Sequence, residues 1–249
     1  MLRAVIFDMD ETLVDWSAHR ADWHALRRQH FGPVIDHLKE AGHDVPDLDT
    51  FVSAYNAENE RLWKASGPPD WIAPHTPAML RSVLASAGVT VGEEDVPALV
   101  GLVDWGPMPG VSAFPDAADV LRALRDAGVR TGLLTNASST TTMRDRELEG
   151  YGLLDLIDER MTAGDAGHLK PHPGAFRAVL NRLSVDPQEA VMVGDRLEDD
   201  IAGGQGVGMR TVWVRRNGAT PRDGIRPDAT ITALNELLDL LDNWFPNWR

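Results

Sequence analysis

The chain has 249 residues, 43% of them apolar, which is enough for one α/β domain with an inserted module and a sizeable core. Its formal charge of −14 argues against a nucleic-acid partner, because binding a phosphate backbone draws on clustered Lys and Arg, and its lack of cysteine excludes disulfides, a thiolate nucleophile and a cysteine zinc site. No stretch has the length and apolarity of a membrane span and no basic-then-apolar leader precedes the first strand, so no membrane partner and a cytoplasmic location are expected.

Ala4-Val5-Ile6-Phe7 reads as a short buried parallel strand. Asp8, Asp10 and Thr12 follow on alternate positions. An extended backbone puts such positions on one face, beyond the carboxyl end of the strand, where open α/β sheets hold their ligands. From Trp16 the pattern turns helical: Trp16 to Phe31, then Phe51 to Lys64, then a stripe of Leu80, Val83, Leu84 and Ala87. Pro and Gly punctuate these segments, and Trp105-Gly106-Pro107-Met108-Pro109-Gly110 closes the region, so residues 16–107 read as a helical insertion.

The α/β rhythm resumes with a helical stripe of Ala117, Val120, Leu121 and Leu124, ended by Gly128, and a strand from Val129 to Leu134. That strand runs into Thr135-Asn136, with a helix expected from about Ser138 to Glu149. Thr135 thus stands either at an anion site built from unpaired helix amides or in an ordinary Thr-Asn helix cap. Lys170 is followed by Pro171 and Pro173, which either stiffen a loop that fixes the ammonium or simply start the helix carrying Phe176, Val179, Leu180 and Leu183. A further apolar strand, Ala190 to Val193, ends in Gly194-Asp195, with Asp199 and Asp200 a turn later. Thr211 to Val214 makes another strand, and Leu234, Leu237, Leu238 and Leu241 a closing helix.

Four polar clusters therefore end successive strands or strand-adjacent loops, in the order Asp-x-Asp-x-Thr, Thr-Asn, Lys-Pro and Gly-Asp-x-x-x-Asp-Asp, and a right-handed parallel sheet brings such ends to one edge. In this order the motifs resemble those of the haloacid dehalogenase (HAD) superfamily hydrolases of the phosphatase type, with a helical cap inserted between the first and second motifs. The resemblance implies a Rossmann-like doubly wound parallel sheet formed by residues 1–15 and 108–249, and an α-helical cap domain of residues 16–107. It implies that Asp8 is the nucleophile that becomes an aspartyl-phosphate, that Asp10 is the acid/base, and that Lys170 offsets the repulsion among the carboxylates. Thr135, Asn136 and Lys170 would hold the phosphoryl group. Mg²⁺ would be bound by Asp8, Asp195, the backbone carbonyl of Asp10 and Asp200, with Asp199 second for the last role.

The implied substrate is a small phosphorylated metabolite chosen by the cap, for a monomer or homodimer whose state the sequence leaves open. Trp16, His19 and Arg20, and Arg61, Trp63 and Lys64, are the cap-side candidates, while Trp244, Phe245 and Trp248 pack either on the core or on a second subunit. Glu11 and Ala137 depart from the family pattern, which frequently has glycine at both places. Carbon-halogen hydrolysis, phosphoryl-retaining mutase chemistry and a catalytically idle binding module are the competing readings. Dehalogenation needs neither an acid at position 10 nor a metal, so Asp10 and Asp195 favour the phosphatase.

Overall fold

Strand β1 (Ala4–Phe7) is buried on both faces, as its unbroken apolar sequence requires. The computed structural model describes residues 1–216 and 218–249. A two-residue strand β2 (Val14–Asp15) follows, then α1 (Trp23–Glu40), α2 (Leu48–Ala65), α3 (Thr76–Ser86) and α4 (Val96–Gly101), before β3 (Ser112–Ala113) returns antiparallel to β2. The remainder alternates: α5 (Ala117–Asp126), β4 (Arg130–Thr135), α6 (Thr141–Gly150), β5 (Glu159–Thr162), α7 (Ala163–Ala166), α8 (Pro173–Leu183), β6 (Ala190–Gly194), α9 (Gly203–Val207), β7 (Arg210–Val214), β8 (Ala229–Ile231) and α10 (Glu236–Trp244).

The main sheet has the order β5-β4-β1-β6-β7-β8, with every pair parallel. The chain winds outward from β1 in one direction through β4 and β5, then in the other through β6, β7 and β8. This is a doubly wound α/β fold whose switch point lies at β1, where such sheets open a crevice beyond the strand ends. Alternation along β1 sends Val5 and Phe7 into one core with Leu121, Leu124, Leu237 and Leu241, and Ala4 and Ile6 into another with Phe176, Val179 and Leu183.

The helical segment has a core of its own. Phe31, Val34 and Ile35 of α1 pack against Phe51, Val52 and Tyr55 of α2 and Met79, Leu80 and Leu84 of α3, and the Phe31 and Phe51 rings meet edge to face with centroids 5.4 Å apart. The segment springs from between β2 and β3, so its two joins are paired to each other. No helix among the described residues is long and apolar enough to cross a membrane.

Some expected boundaries move. The helix expected from Trp16 begins at Trp23, where the Asp22 carboxylate accepts from the amides of His24 and Ala25 and caps it. The helix expected from Ser138 begins at Thr141, capped by Thr140. Strands β5 and β8, at the two edges of the sheet, carry no unbroken apolar run and were not expected, nor were the short β2, β3, α4 and α7. At the C-terminus Trp248 is buried, and Trp244 and Phe245 flank the Arg210 guanidinium at 5.0 and 5.1 Å, so these aromatics pack on their own chain.

Because Phe51 is fully buried at the centre of the helical core, Phe51→Ala should remove about 3–5 kcal/mol of stability, read as a shift in urea midpoint at unchanged slope.

Candidate functional site

The ends of β1, β4 and β6 carry Asp8, Thr135 and Asp195 to one edge of the sheet. Into this edge the loop before α8 delivers Lys170, which is only 1% exposed. Its ammonium donates to Asp8 Oδ1 at 2.6 Å, to Asp200 Oδ1 at 2.6 Å and to the Leu134 carbonyl at 2.8 Å, so all three N–H groups are used. Asn136 fixes the lysine backbone from both sides, its Nδ2 donating to the Lys170 carbonyl at 3.0 Å and its Oδ1 accepting from the Lys170 amide at 2.8 Å. The helix-cap reading of Thr135-Asn136 is thereby excluded, since Thr140 caps α6. The Asn136 carboxamide is thus taken up in seating Lys170, which leaves the backbone amides near Asn136 as the groups that can face an anion. Pro173 does begin α8, whose cap is the His172 side chain, so both readings of the loop hold together.

Asp200 arrives on a π-helical turn, Leu197–Ala202, directly after β6. Its side chain is fully buried and its Oδ2 accepts from the Arg196 amide at 3.0 Å. A Cβ on Gly194 would lie 2.2 Å from that same oxygen, so only glycine leaves room for the carboxylate. The Asp195 backbone is held by the Trp213 indole, which donates to its carbonyl at 2.9 Å. Asp199 points elsewhere, accepting from Arg196 Nε at 2.6 Å on the cavity wall.

One oxygen each from Asp8, Asp195 and Asp200 lies within 4.8 Å of the others. Burial raises the Asp8 carboxyl well above the usual carboxylate range, with Lys170 opposing and Asp200, Asp195 and Asp10 adding to the rise. Burial, then the Asp200 charge, raises Asp195 to about 7. Lys170 is held above the usual lysine value: burial disfavours its charge, but Asp200 and Asp8 outweigh that penalty. Asp195 Oδ1 is buried without a hydrogen-bond partner. An orphaned oxygen beside two further carboxylates is an oxygen-only donor set suited to a hard divalent cation, so a metal fits this cluster.

Asp10 is kept apart from the cluster. Trp16 Nε1 donates to its Oδ1 at 2.8 Å and Arg144 Nη2 to its Oδ2 at 3.0 Å. Arg144 also donates to the fully buried Glu147 at 2.6 Å, and Glu147 accepts in turn from the Trp105 indole. Trp16 and Trp105 lie near the two joins of the helical segment, so both joins are wired to this carboxylate. The sequence reading missed Arg144; the available signal was an i,i+3 Arg-Glu pair on the face of α6 that buries Met143 and Leu148. Glu11 sits at φ +61°, a left-handed conformation that costs a non-glycine residue roughly 1–2 kcal/mol. Its carboxylate accepts from the Trp16 amide at 3.0 Å and its carbonyl from Arg216, contacts that hold the turn in place.

A cavity of about 390 Å³ covers these groups, with Trp63, Ser66 and Trp71 of the helical segment facing Asp8, Lys170 and Asp195. The segment is tied down on this side by backbone hydrogen bonds from Leu169 N to Trp71 O (2.8 Å), Ala73 N to Gly167 O (3.2 Å) and Thr76 N to Ser138 O (2.8 Å). Of the cap-side candidates, Trp63 reaches the cavity and Trp16 reaches Asp10. Arg61 and Lys64 pair with Glu58 and Glu60 at the surface, Arg20 donates to nearby backbone carbonyls, and His19 contacts the Pro109 carbonyl.

The haloacid dehalogenase-like hydrolase family model matches residues 2–208, and the chain belongs to that family. A ribulose-1,5-bisphosphate 5-phosphatase from Halopiger xanaduensis is 31% identical over 97% of this chain and 100% of its own length. A glyceraldehyde 3-phosphate phosphatase from Pyrococcus furiosus is 28% identical over 97% of this chain and 93% of its own. Among solved structures, a 2-haloacid dehalogenase from Pseudomonas syringae pv. Tomato is similar with a TM-score of 0.63 and 26% identity, covering 98% of this chain and 100% of that one.

Asp195 is raised from 3.8 to about 7, so the folded protein holds a proton that the unfolded chain has released, and stability present below pH 3.8 is lost as pH rises towards 7. Chelator-treated protein should therefore show a urea midpoint that falls across this window, and Asp195→Asn should flatten the slope. Added Mg²⁺ should raise the midpoint more at the upper end of the window than at the lower. Separately, Arg144→Met leaves two carboxylates unpaired and should cost about 3–5 kcal/mol by the same measurement.

Proposed function

We propose that the protein is a Mg²⁺-dependent phosphatase that hydrolyses a small phosphate monoester through an aspartyl-phosphate on Asp8. The observation that carries this reading is the pairing of two differently held carboxylates. Asp8 lies against Lys170 in an oxygen cluster, and Asp10, two residues on, stands outside that cluster on Trp16 and Arg144. Carbon-halogen hydrolysis has no use for the second carboxylate or for the Asp195 and Asp200 oxygens. The phosphatase names of the two relatives reported above support the same choice, and the likeness to a dehalogenase is accounted for by the shared fold.

Asp8 attacks phosphorus as the ester P–O bond breaks, and Asp10 gives its proton to the leaving alkoxide. Asp10, now a carboxylate, takes a proton from water. The water oxygen attacks phosphorus, inorganic phosphate leaves and Asp8 is restored. Mg²⁺, when bound by Asp8, Asp195, Asp200 and the Asp10 carbonyl, supplies positive charge for the phosphoryl oxygens. The Thr135 hydroxyl and the amides near Asn136 hold the transferring group; Lys170, its three donors taken by Asp8, Asp200 and Leu134, supplies positive charge beside it, and the Asn136 carboxamide seats Lys170. Residues 16–107 act as the cap over residues 1–15 and 108–249: Trp63, Ser66 and Trp71 line the cavity from the cap side and narrow the access of water.

Phosphate release from a panel of metabolite phosphates should require a divalent cation, vanish in excess chelator, return with Mg²⁺, and fall to background in Asp8→Asn. Full activity in excess chelator would contradict the reading.

A further inference from the structure

Beside the phosphoryl site, and sharing Trp63 and Asn136 with it, lies a second cavity of about 350 Å³. Asp10 stands at the boundary: it lines the first cavity, while its partners Trp16 and Arg144 line the second. The oxygen that Asp10 protonates therefore sits at this boundary, and the rest of the leaving group extends into the second space.

The lining of that space departs from the character of the chain. In a protein with 38 acidic residues and a net charge of −14, it carries two guanidiniums, Arg27 and Arg144, and no Asp or Glu. Arg144 is matched by Asp10 and Glu147. Arg27 is half-buried and, among the described residues, no carboxylate lies within ion-pair distance of it. Its one hydrogen bond to a side chain goes to the neutral Asn56, and its guanidinium stands 5.7 Å from the Tyr55 ring centroid. Burial disfavours the charge on Arg27, and the rest of the chain supplies little to offset it. The Ser139 hydroxyl, on a residue 3% exposed that lines the same cavity, is buried with no hydrogen-bond partner. Unmatched positive charge and an unused donor lining one cleft are the chemistry of an anion site. Trp16 and Trp23, stacked with centroids 6.2 Å apart, give the same space an apolar wall against which a carbon skeleton can pack.

We propose that this cavity is a second anion subsite, in which Arg27 and Ser139 bind a carboxylate or phosphate on the leaving group, so that the substrate is a small phosphate monoester carrying a second anionic group. The subsite rests on the phosphatase reading above and narrows its substrate class. Arg27 receives the second anion, not the phosphoryl group that reacts, because Asp8 and Lys170 lie in the neighbouring cavity.

The test is a matched three-carbon series with Mg²⁺: propyl phosphate, 3-phosphonooxypropanoate and propane-1,3-diyl bisphosphate, with nitrophenyl phosphate as a reference. Wild-type protein should turn over at least one of the two esters with an anionic tail with kcat/KM about 10- to 100-fold above propyl phosphate, mostly through KM, as expected for a charged hydrogen bond. Preference for the first identifies a carboxylate, and for the second a phosphate. Arg27→Gln should erase most of that preference, Arg27→Lys should keep part of it, and Ser139→Ala should reduce it by a smaller factor. Near-UV circular dichroism of each variant confirms folding, and Ser139→Ala carries the test if Arg27→Gln does not fold. Equal kcat/KM across the series in wild-type protein, or a preference that survives Arg27→Gln, overturns the subsite while nitrophenyl phosphate turnover leaves the phosphatase reading standing. No release from any phosphate ester overturns that reading and the subsite with it.

Discussion

The site depends on one buried ammonium. Three carboxylates with oxygens within 4.8 Å of one another, Asp8 and Asp200 buried among them, would repel strongly and tend to stay protonated. Lys170 makes the arrangement tolerable by standing between Asp8 and Asp200 at 2.6 Å from each. A buried ammonium is itself costly unless every donor is used, and here the Leu134 carbonyl takes the third. The surrounding structure serves this contact: Asn136 grips the lysine backbone, the missing side chain of Gly194 leaves room for Asp200, and the π-helical turn carries Asp200 inward. Burial, and after it the Asp200 charge, still holds Asp195 above the usual carboxylate range, and a divalent cation bound there would offset both.

The second constraint is separation. Asp8 and Asp10 are two residues apart in the turn after β1, yet one is fixed by Lys170 and the other by an indole and a guanidinium. Two carboxylates in distinct surroundings can take distinct roles, one as nucleophile and one as proton carrier. Trp16 and Trp105 sit at the roots of the helical segment, and both feed the hydrogen-bond network around Asp10.

The strand ends were legible in the sequence because each follows an unbroken apolar run, and Asp8, Thr135, Lys170 and Asp195 do meet at one edge. What escaped was set by tertiary structure. Strands β5 and β8 are sheet edges, and the Glu-Arg-Met-Thr of β5 gives no continuous apolar signal. Trp16 to Ala21 has helix-forming composition, but the β2–β3 pair and the hydrogen bonds of Trp16 to Asp10 and Glu11 hold its start in an irregular path. It is the π-helical turn, which the local sequence does not announce, that brings the Asp200 side chain into the carboxylate cluster and turns Asp199 towards Arg196. The i,i+3 Arg144-Glu147 pair on the apolar face of α6 marks Arg144 as unusual, but neither its meeting with Asp10 across 134 residues nor the place of Arg27 on a cleft beside the site is written in the local sequence.

The central claim is that Asp8 takes the phosphoryl group while Asp10 only moves protons, and single-turnover trapping tests it most directly. Labelled alkyl and nitrophenyl phosphates are mixed with Asp8→Asn and with Asp10→Asn, and acid-stable label on the protein is followed with time. The account predicts no label on Asp8→Asn with either substrate. On Asp10→Asn it predicts label that accumulates from the nitrophenyl ester, whose leaving group needs little protonation, and forms about 10²–10⁴-fold more slowly from the alkyl ester. Label on Asp8→Asn, or equal slowing of the two esters in Asp10→Asn, would contradict it.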